Sequence, residues 1–179
     1  MNVKFKRLHP DAKIPQYATE MAAGFDLVAV EDVIIAPGET AKVPLGFAVQ
    51  IPPGYEIQIR PRSGVTLKTK LRVNLGTIDA DYRGEVGVIT DNIAVGDNFL
   101  DYTYGLVDGK YSTDDGNGGE TVYEAVYEDL SVYYVIRKGD RIAQGVLAEV
   151  SRASFEEVAE LDDTVRGDGG FGHTGVNVI

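Results

Sequence analysis

The apolar residues of this chain come in short runs. Most runs are four to eight residues long, rich in Val, Ile, Phe and Tyr, and end at turn residues. Helices need an apolar stripe recurring every three or four residues over about ten or more, and that stripe is nearly absent. Val3, Phe5 and Leu8 predict an opening strand, Phe25–Val30 another, and Val33–Ile35 a third before a Pro37-Gly38 turn. Residues 42–51 read as one strand interrupted by Pro44, which suits an edge or a strand start. A Pro52-Pro53-Gly54 turn precedes Tyr55–Arg60, and Val86, Val88 and Arg141–Val150 continue the pattern. The spacing predicts an all-β sandwich or barrel. One short helix is expected over Gly64–Lys70, capped by Ser63 behind Pro61.

A chain of 179 residues suits one compact domain. It has no cysteine, which excludes disulfides, thiolate metal sites and a cysteine nucleophile, and fits a reducing compartment such as the cytoplasm. No apolar run approaches the ~20 residues of a membrane helix. The start, MNVKFKRLHP, has no apolar block behind its basic residues, so no signal peptide is expected.

The charge is lopsided. The net charge is −11, and residues 91–134 carry ten acidic residues against Lys110 alone, leaving −2 for the rest. Such a field repels double-stranded nucleic acid. The same segment holds seven of the ten tyrosines, an Asp108-Gly109 turn and a glycine cluster at 116–119. It reads as an inserted β-rich subdomain, with strand candidates at 99–107 and 121–127. Its tyrosines suit a protein-binding surface.

Five clusters carry candidate chemistry. In Ala22–Leu27, Asp26 heads an apolar strand and suits a hydrated Mg²⁺, an ion that keeps its waters and needs few carboxylates. In Arg60–Gly64, Arg62, the Ser63 hydroxyl and the Gly64 N–H form a candidate anion site. Asn74–Glu85 places Asp79, Asp81 and Tyr82 between Gly76 and Gly84, and a carboxylate there suits the activation of a water. Arg137–Gln144 contains a Lys-Gly-Asp turn and then Gln144, an amide inside an apolar strand that needs partners. Last, Arg166–Gly175 combines Arg166 with glycines whose backbone can approach phosphate, and with Phe171, which can stack on a base.

Other motifs fail. There is no phosphate-binding Gly-Lys-Ser/Thr loop and no Rossmann fingerprint. With only His9 and His173, a histidine zinc site is not expected. An EF-hand loop begun at Asp115 would put Glu120 where glycine is required.

In their order the five clusters resemble the five motifs of the trimeric dUTPase family. The matches are Ala-Gly-Phe-Asp-Leu at 23–27, Pro-Arg-Ser-Gly at 61–64, Gly-Thr-Ile-Asp-Ala-Asp-Tyr-Arg-Gly-Glu at 76–85, Lys-Gly-Asp-Arg-Ile-Ala-Gln at 138–144 and Arg-Gly-Asp-Gly-Gly-Phe-Gly at 166–172. The placement of the insert is similar to that in certain bacteriophage members. The resemblance implies a jelly-roll, β-barrel-like homotrimer with three active sites, each shared among subunits. It implies hydrolysis of dUTP to dUMP and pyrophosphate with Mg²⁺, which limits uracil in DNA and supplies dUMP for dTTP synthesis.

Carried over by residue, Asp79 would activate the water and contact the deoxyribose. Tyr82 would pack under the sugar and disfavour a 2′-hydroxyl. Asn74, with Gly76 and Ile78 of the adjoining hairpin, would bind uracil. Asp26 would act through magnesium-bound water. Arg62, Ser63, Gly64 and Gln144 would hold phosphates, Arg166 would meet the γ-phosphate, and Phe171 would cover the base. Gly172 and His173 complete the substrate contacts, His173 standing where serine is common in the family.

The expected organisation is a core of 1–90 and 135–164, an insert at 91–134, and a glycine-rich arm at 165–179 closing over a site. Some relatives of the insert-bearing kind bind a repressor protein, so the insert is a candidate for that role. A dCTP deaminase-related enzyme and a catalytically weak nucleotide-sensing regulator are the alternatives.

Overall fold

The computed structural model describes residues 1–94, 102–105, 110–114, 120–124 and 132–170. Its strands follow the turn punctuation of the sequence. In order they are β1 (Lys4–Arg7), β2 (Phe25–Val28), β3 (Val33–Ile35), β4 (Thr40–Pro44), β5 (Phe47–Gln50) and β6 (Tyr55–Pro61). The helix α1 (Ser63–Lys68) follows, then β7 (Leu71–Val73), β8 (Gly76–Ile78) and β9 (Gly87–Asn92). Next come β10 (Tyr102–Gly105), β11 (Lys110–Asp114), β12 (Glu120–Glu124), β13 (Val132–Ile136) and β14 (Arg141–Glu149). Among the described residues the fold is all-β with one short helix, as the run lengths predict.

Among the described residues the strands form four small sheets, ordered β1-β5, β12-β11-β10-β13-β3, β2-β14-β6-β8 and β4-β9-β7. Inward residues alternate with outward ones, as in β2, where Phe25 and Leu27 are buried and Asp26 and Val28 are not. The inward set makes one apolar cluster that includes Leu27, Ile35, Val43, Leu71, Val88 and Ile142. Its burial is the main source of stability. No helix among the described residues is long and apolar enough to cross a membrane.

Two local expectations are corrected. Residues 42–51 are not one strand: β4 ends at Pro44 and β5 begins at Phe47. Gly46 has φ of +68°, and a Cβ there would lie 2.6 Å from that of His9, so the chain turns where only glycine fits. Ser63 is not the helix cap. The N-cap position is Arg62, no side chain caps the helix, and α1 ends at Lys68 with Thr69 as its C-cap.

Strands of the body run into both ends of the acidic 91–134 segment. β9 extends through Asn92, and β13 pairs with β3 in the body. β13 also pairs in parallel with β10, which carries the antiparallel β11 and β12 beyond it. The glycine cluster at 116–119 lies outside the described residues.

Candidate active site

β2, β14 and β6 lie side by side, with Gln144 opposite Asp26 on one flank and opposite Arg60 on the other. Opposed residues share a sheet face, so this register brings the first, second and fourth motifs together. A bulge between Arg141 and Ala143 breaks the alternation, burying Ile142 and Ala143 in succession and leaving Arg141 exposed opposite Val28. Bulges re-aim side chains in this way.

Asp26 is the hub. Its Oδ1 lies 3.4 Å from Arg62 Nε, and its Oδ2 accepts a 3.2 Å hydrogen bond from an Arg141 guanidinium nitrogen. Arg62 also donates to the Arg141 carbonyl at 2.8 Å. Gln144 Nε2 donates to the Pro61 carbonyl at 3.0 Å, which supplies the partner its amide needs inside the strand. A Cβ on Gly24 would approach Gln144 Oε1 to 2.9 Å, so the glycine of the first motif makes room for the glutamine of the fourth. Ser63 and Gly64 are exposed in the first turn of α1, beside Arg62. Motif reading left Arg141 without a role; the signal that places it at the site is the bulge.

Asp79 sits elsewhere. β8 pairs with the far half of β6, with Ile78 opposite Ile57 and Gly76 opposite Ile59. Asp79 follows Ile78, whereas Arg62 lies five residues beyond Ile57 along the chain. At ~3.3 Å per residue that is roughly 17 Å. The Asp79 carboxylate is exposed and lines an open groove of about 770 Å³ with Tyr55, Glu56, Arg83 and Arg152. That groove includes none of Asp26, Arg62 and Gln144.

The loop bearing Asp79 is tightly turned. Tyr82 N–H donates to the Asp79 carbonyl at 3.1 Å, and Tyr82 Oη donates to the Glu85 carbonyl at 3.1 Å. A Cβ on Gly84 would run into the Tyr82 ring, so the ring lies against bare backbone. Ile78 is buried beneath the loop, and Asn74 is exposed at the junction of β7 and β8, its N–H donating to the Ile89 carbonyl at 2.9 Å. Arg166 is exposed, and its Nε donates to the Gly169 carbonyl at 2.7 Å within its own turn. Phe171, Gly172 and His173 lie outside the described residues.

The donor set fits magnesium in one form only. Among the described residues no group of three or more His, Cys, Asp or Glu gathers to hold a metal. Asp26 is a single carboxylate facing two arginines, suited to a hydrated ion that arrives on a polyphosphate.

A family model for dUTPase matches residues 10–97 and 121–175. The chain belongs to the dUTPase family. A curated relative, the deoxyuridine 5′-triphosphate nucleotidohydrolase of Helicobacter pylori strain J99, is 37% identical over 99% of both chains. Among solved structures, the Staphylococcus bacteriophage 80alpha dUTPase with dUPNHPP superposes at a TM-score of 0.84, with 31% identity, covering 98% of this chain and 99% of that one. The 80alpha protein has been studied for the link between its enzymatic activity and a SaPI inducing capacity. A point mutant of the dUTPase of S. aureus phage phi11, in which a structural Mg(II) ion is coordinated, superposes at 0.76 with 27% identity over 91% of this chain and all of that one. These family neighbours share the jelly-roll fold.

Proposed function

We propose that the chain hydrolyses dUTP to dUMP and pyrophosphate in sites shared between copies of itself, a homotrimer as in the family. Family membership supports the reaction. The observation that carries the sharing is the separation along β6. A base that activates water must reach it within hydrogen-bond distance while that water lies in line with the α-phosphorus. Asp79 and the Arg62 cluster of one chain are too far apart to serve the same phosphate. A second copy brings the two groups together.

In this reading Asp79 takes a proton from water as the water oxygen bonds to the α-phosphorus. The bond from the α-phosphorus to the bridging oxygen breaks, and pyrophosphate leaves. Arg62, Ser63, Gly64 and Gln144 hold the phosphate oxygens, and Asp26 would hold Mg²⁺ through water. When bound, the ion supplies positive charge against the triphosphate. Asn74, Gly76 and Ile78 read the uracil, and Tyr82 packs under the deoxyribose. The arm from residue 165 supplies Arg166 to the γ-phosphate and Phe171, Gly172 and His173 over the nucleotide, excluding bulk water. This chemistry needs no membrane or double-stranded nucleic acid and suits the cytoplasm.

The test is pyrophosphate release with Mg²⁺ from dUTP, dTTP, UTP and dCTP. Selective cleavage of dUTP is expected. Ammonia released from dCTP would instead make the chain a deaminase, and a folded trimer inert towards all four would make it a nucleotide sensor.

A second role rests on the insert. The family model leaves residues 98–120 unmatched, inside the acidic, tyrosine-rich 91–134 segment. A surface of that charge favours encounter with a basic partner, and a repressor protein is the class proposed. Deleting 95–131 should abolish capture of such a partner while sparing hydrolysis. Loss of both would make the segment part of the catalytic fold.

A further inference from the structure

We infer that Glu85 is the positioning residue that sets the Tyr82 ring and thereby the enzyme's preference for deoxyribose. The inference rests on Tyr82 packing under the sugar, as proposed above. The loop from Asp79 to Val86 joins two different sheets, since β8 pairs with β6 and β9 pairs with β4 and β7. A loop of that kind has no strand ladder of its own and depends on its anchors.

Those anchors converge on one point of the body. Glu85 Oε1 accepts the Gly46 N–H at 3.0 Å. The neighbouring Val86 N–H donates to the Phe47 carbonyl at 2.8 Å, and the Val86 carbonyl accepts from Leu45 N–H at 3.3 Å. Gly46 is itself immobilised: its carbonyl accepts from Leu8 and His9 N–H at 2.8 and 2.9 Å, and its positive φ leaves no alternative residue.

From this point the order passes outward. The Glu85 carbonyl accepts the Tyr82 hydroxyl, and the Tyr82 N–H closes the turn onto Asp79. Among the described residues, Glu85 supplies the hydrogen bond that ties a side chain of the loop to the turn between β4 and β5. Its other neighbour is Lys42, 3.8 Å away and more than half exposed, a pair expected to contribute little. The carboxylate is therefore a clamp on backbone rather than half of a salt bridge. A deoxyribose and a ribose differ by one hydroxyl, and rejecting the larger sugar by packing requires the wall to stay where it is.

The experiment compares kcat and KM for dUTP and UTP in wild type, Glu85→Ala, Glu85→Gln, Lys42→Met and Tyr82→Ala. Glu85→Ala should lose about tenfold in dUTP-over-UTP selectivity, carried mainly by KM, the scale of one lost hydrogen bond to a charged group. Glu85→Gln should restore selectivity, because its amide oxygen still accepts the Gly46 N–H, and Lys42→Met should match wild type. If Glu85→Ala does not fold, Glu85→Asp, one methylene too short to reach, replaces it with the same expectation. Unchanged selectivity in the Ala or Asp variant, with selectivity lost in Tyr82→Ala, overturns the clamp and leaves the sugar-packing reading standing. Selectivity kept in Tyr82→Ala as well overturns both. A loss in Glu85→Gln as large as in Glu85→Ala would assign the effect to charge and also overturn the clamp. Cleavage of dUTP by the wild type in the same assay keeps the activity itself separate from these outcomes.

Discussion

The two ends of β6 hold their functional groups in opposite ways. At the Pro61 end, the Asp26 carboxylate pairs with both Arg62 and Arg141, which leaves an excess of positive charge, and Gln144 is fixed to backbone. At the Tyr55 end, Asp79 is exposed, and among the described residues no side chain hydrogen-bonds its carboxylate. The first arrangement is a set of paired charges with a positive excess, a match for an anion such as the polyphosphate proposed above. The second is an exposed carboxylate on a tightly turned loop, accessible to the water and sugar proposed above. With both groups serving one substrate, as proposed, a chain that holds them this far apart has a functional reason to associate with itself.

The largest expected effect comes from removing the base. Asp79→Asn keeps size and hydrogen bonding and removes proton acceptance, so turnover should fall about a thousandfold while nucleotide still binds. Turnover measured beside calorimetric binding of a non-hydrolysable dUTP analogue checks this. Turnover close to wild type would take Asp79 out of the base role and erase the contrast between the two ends.

The next prediction concerns the partition itself. Asp79→Asn and Arg62→Ala chains should each be weak alone. Refolded together one to one, they should regain activity, because some sites then draw an intact Asp79 from one copy and an intact Arg62 from another. Random assortment restores roughly a quarter of sites. A mixture no more active than the average of its parents would place both half-sites within one chain and refute the reading from β6.

Much of this was legible in the sequence because β-structure announces itself locally. Short apolar runs with turn residues between them predicted strands at 25–30, 33–35 and 55–60, where the structure has strands at 25–28, 33–35 and 55–61, and ordered motifs marked the candidate site residues. The misreadings lay where long-range packing decides. Residues 42–51 looked continuous because Pro44 is tolerated at a strand end, and the turn at Gly46 is imposed by His9 and Val30 from distant parts of the chain. Ser63 resembled a cap by residue type, but the first turn of α1 begins at it rather than after it. Arg141 was masked by a bulge, since one extra residue shifts which side chain faces outward and no local pattern records it. The roles of Glu85 and Gly24 emerge only from contacts across 39 and 120 positions, the reach from Glu85 to Gly46 and from Gly24 to Gln144.

The smallest effect tests whether charges at the Pro61 end build structure or bind ligand. Lys138, in the turn leading into β14, pairs with Asp11 at 2.6 Å, while its backbone N–H donates to Asp32 at 2.7 Å. The hydrogen bond from Lys138 holds the Asp11 carboxyl below its ordinary value of 3.8. A carboxyl with a lowered folded-state pKa stabilises the fold above the unfolded value, and that contribution disappears as pH falls through the folded value. Lys138→Met should therefore lower the melting temperature slightly at pH 7, by about a degree or two for an exposed pair. The difference from wild type should vanish at a pH well below 3.8, where Asp11 is protonated in both proteins. The backbone bond to Asp32 survives the substitution, so a difference that persisted in acid would point to packing of the lysine stem instead. Nucleotide hydrolysis at pH 7 should be unchanged, because this ion pair fastens the turn and is separate from the pairs that Asp26 makes with Arg62 and Arg141.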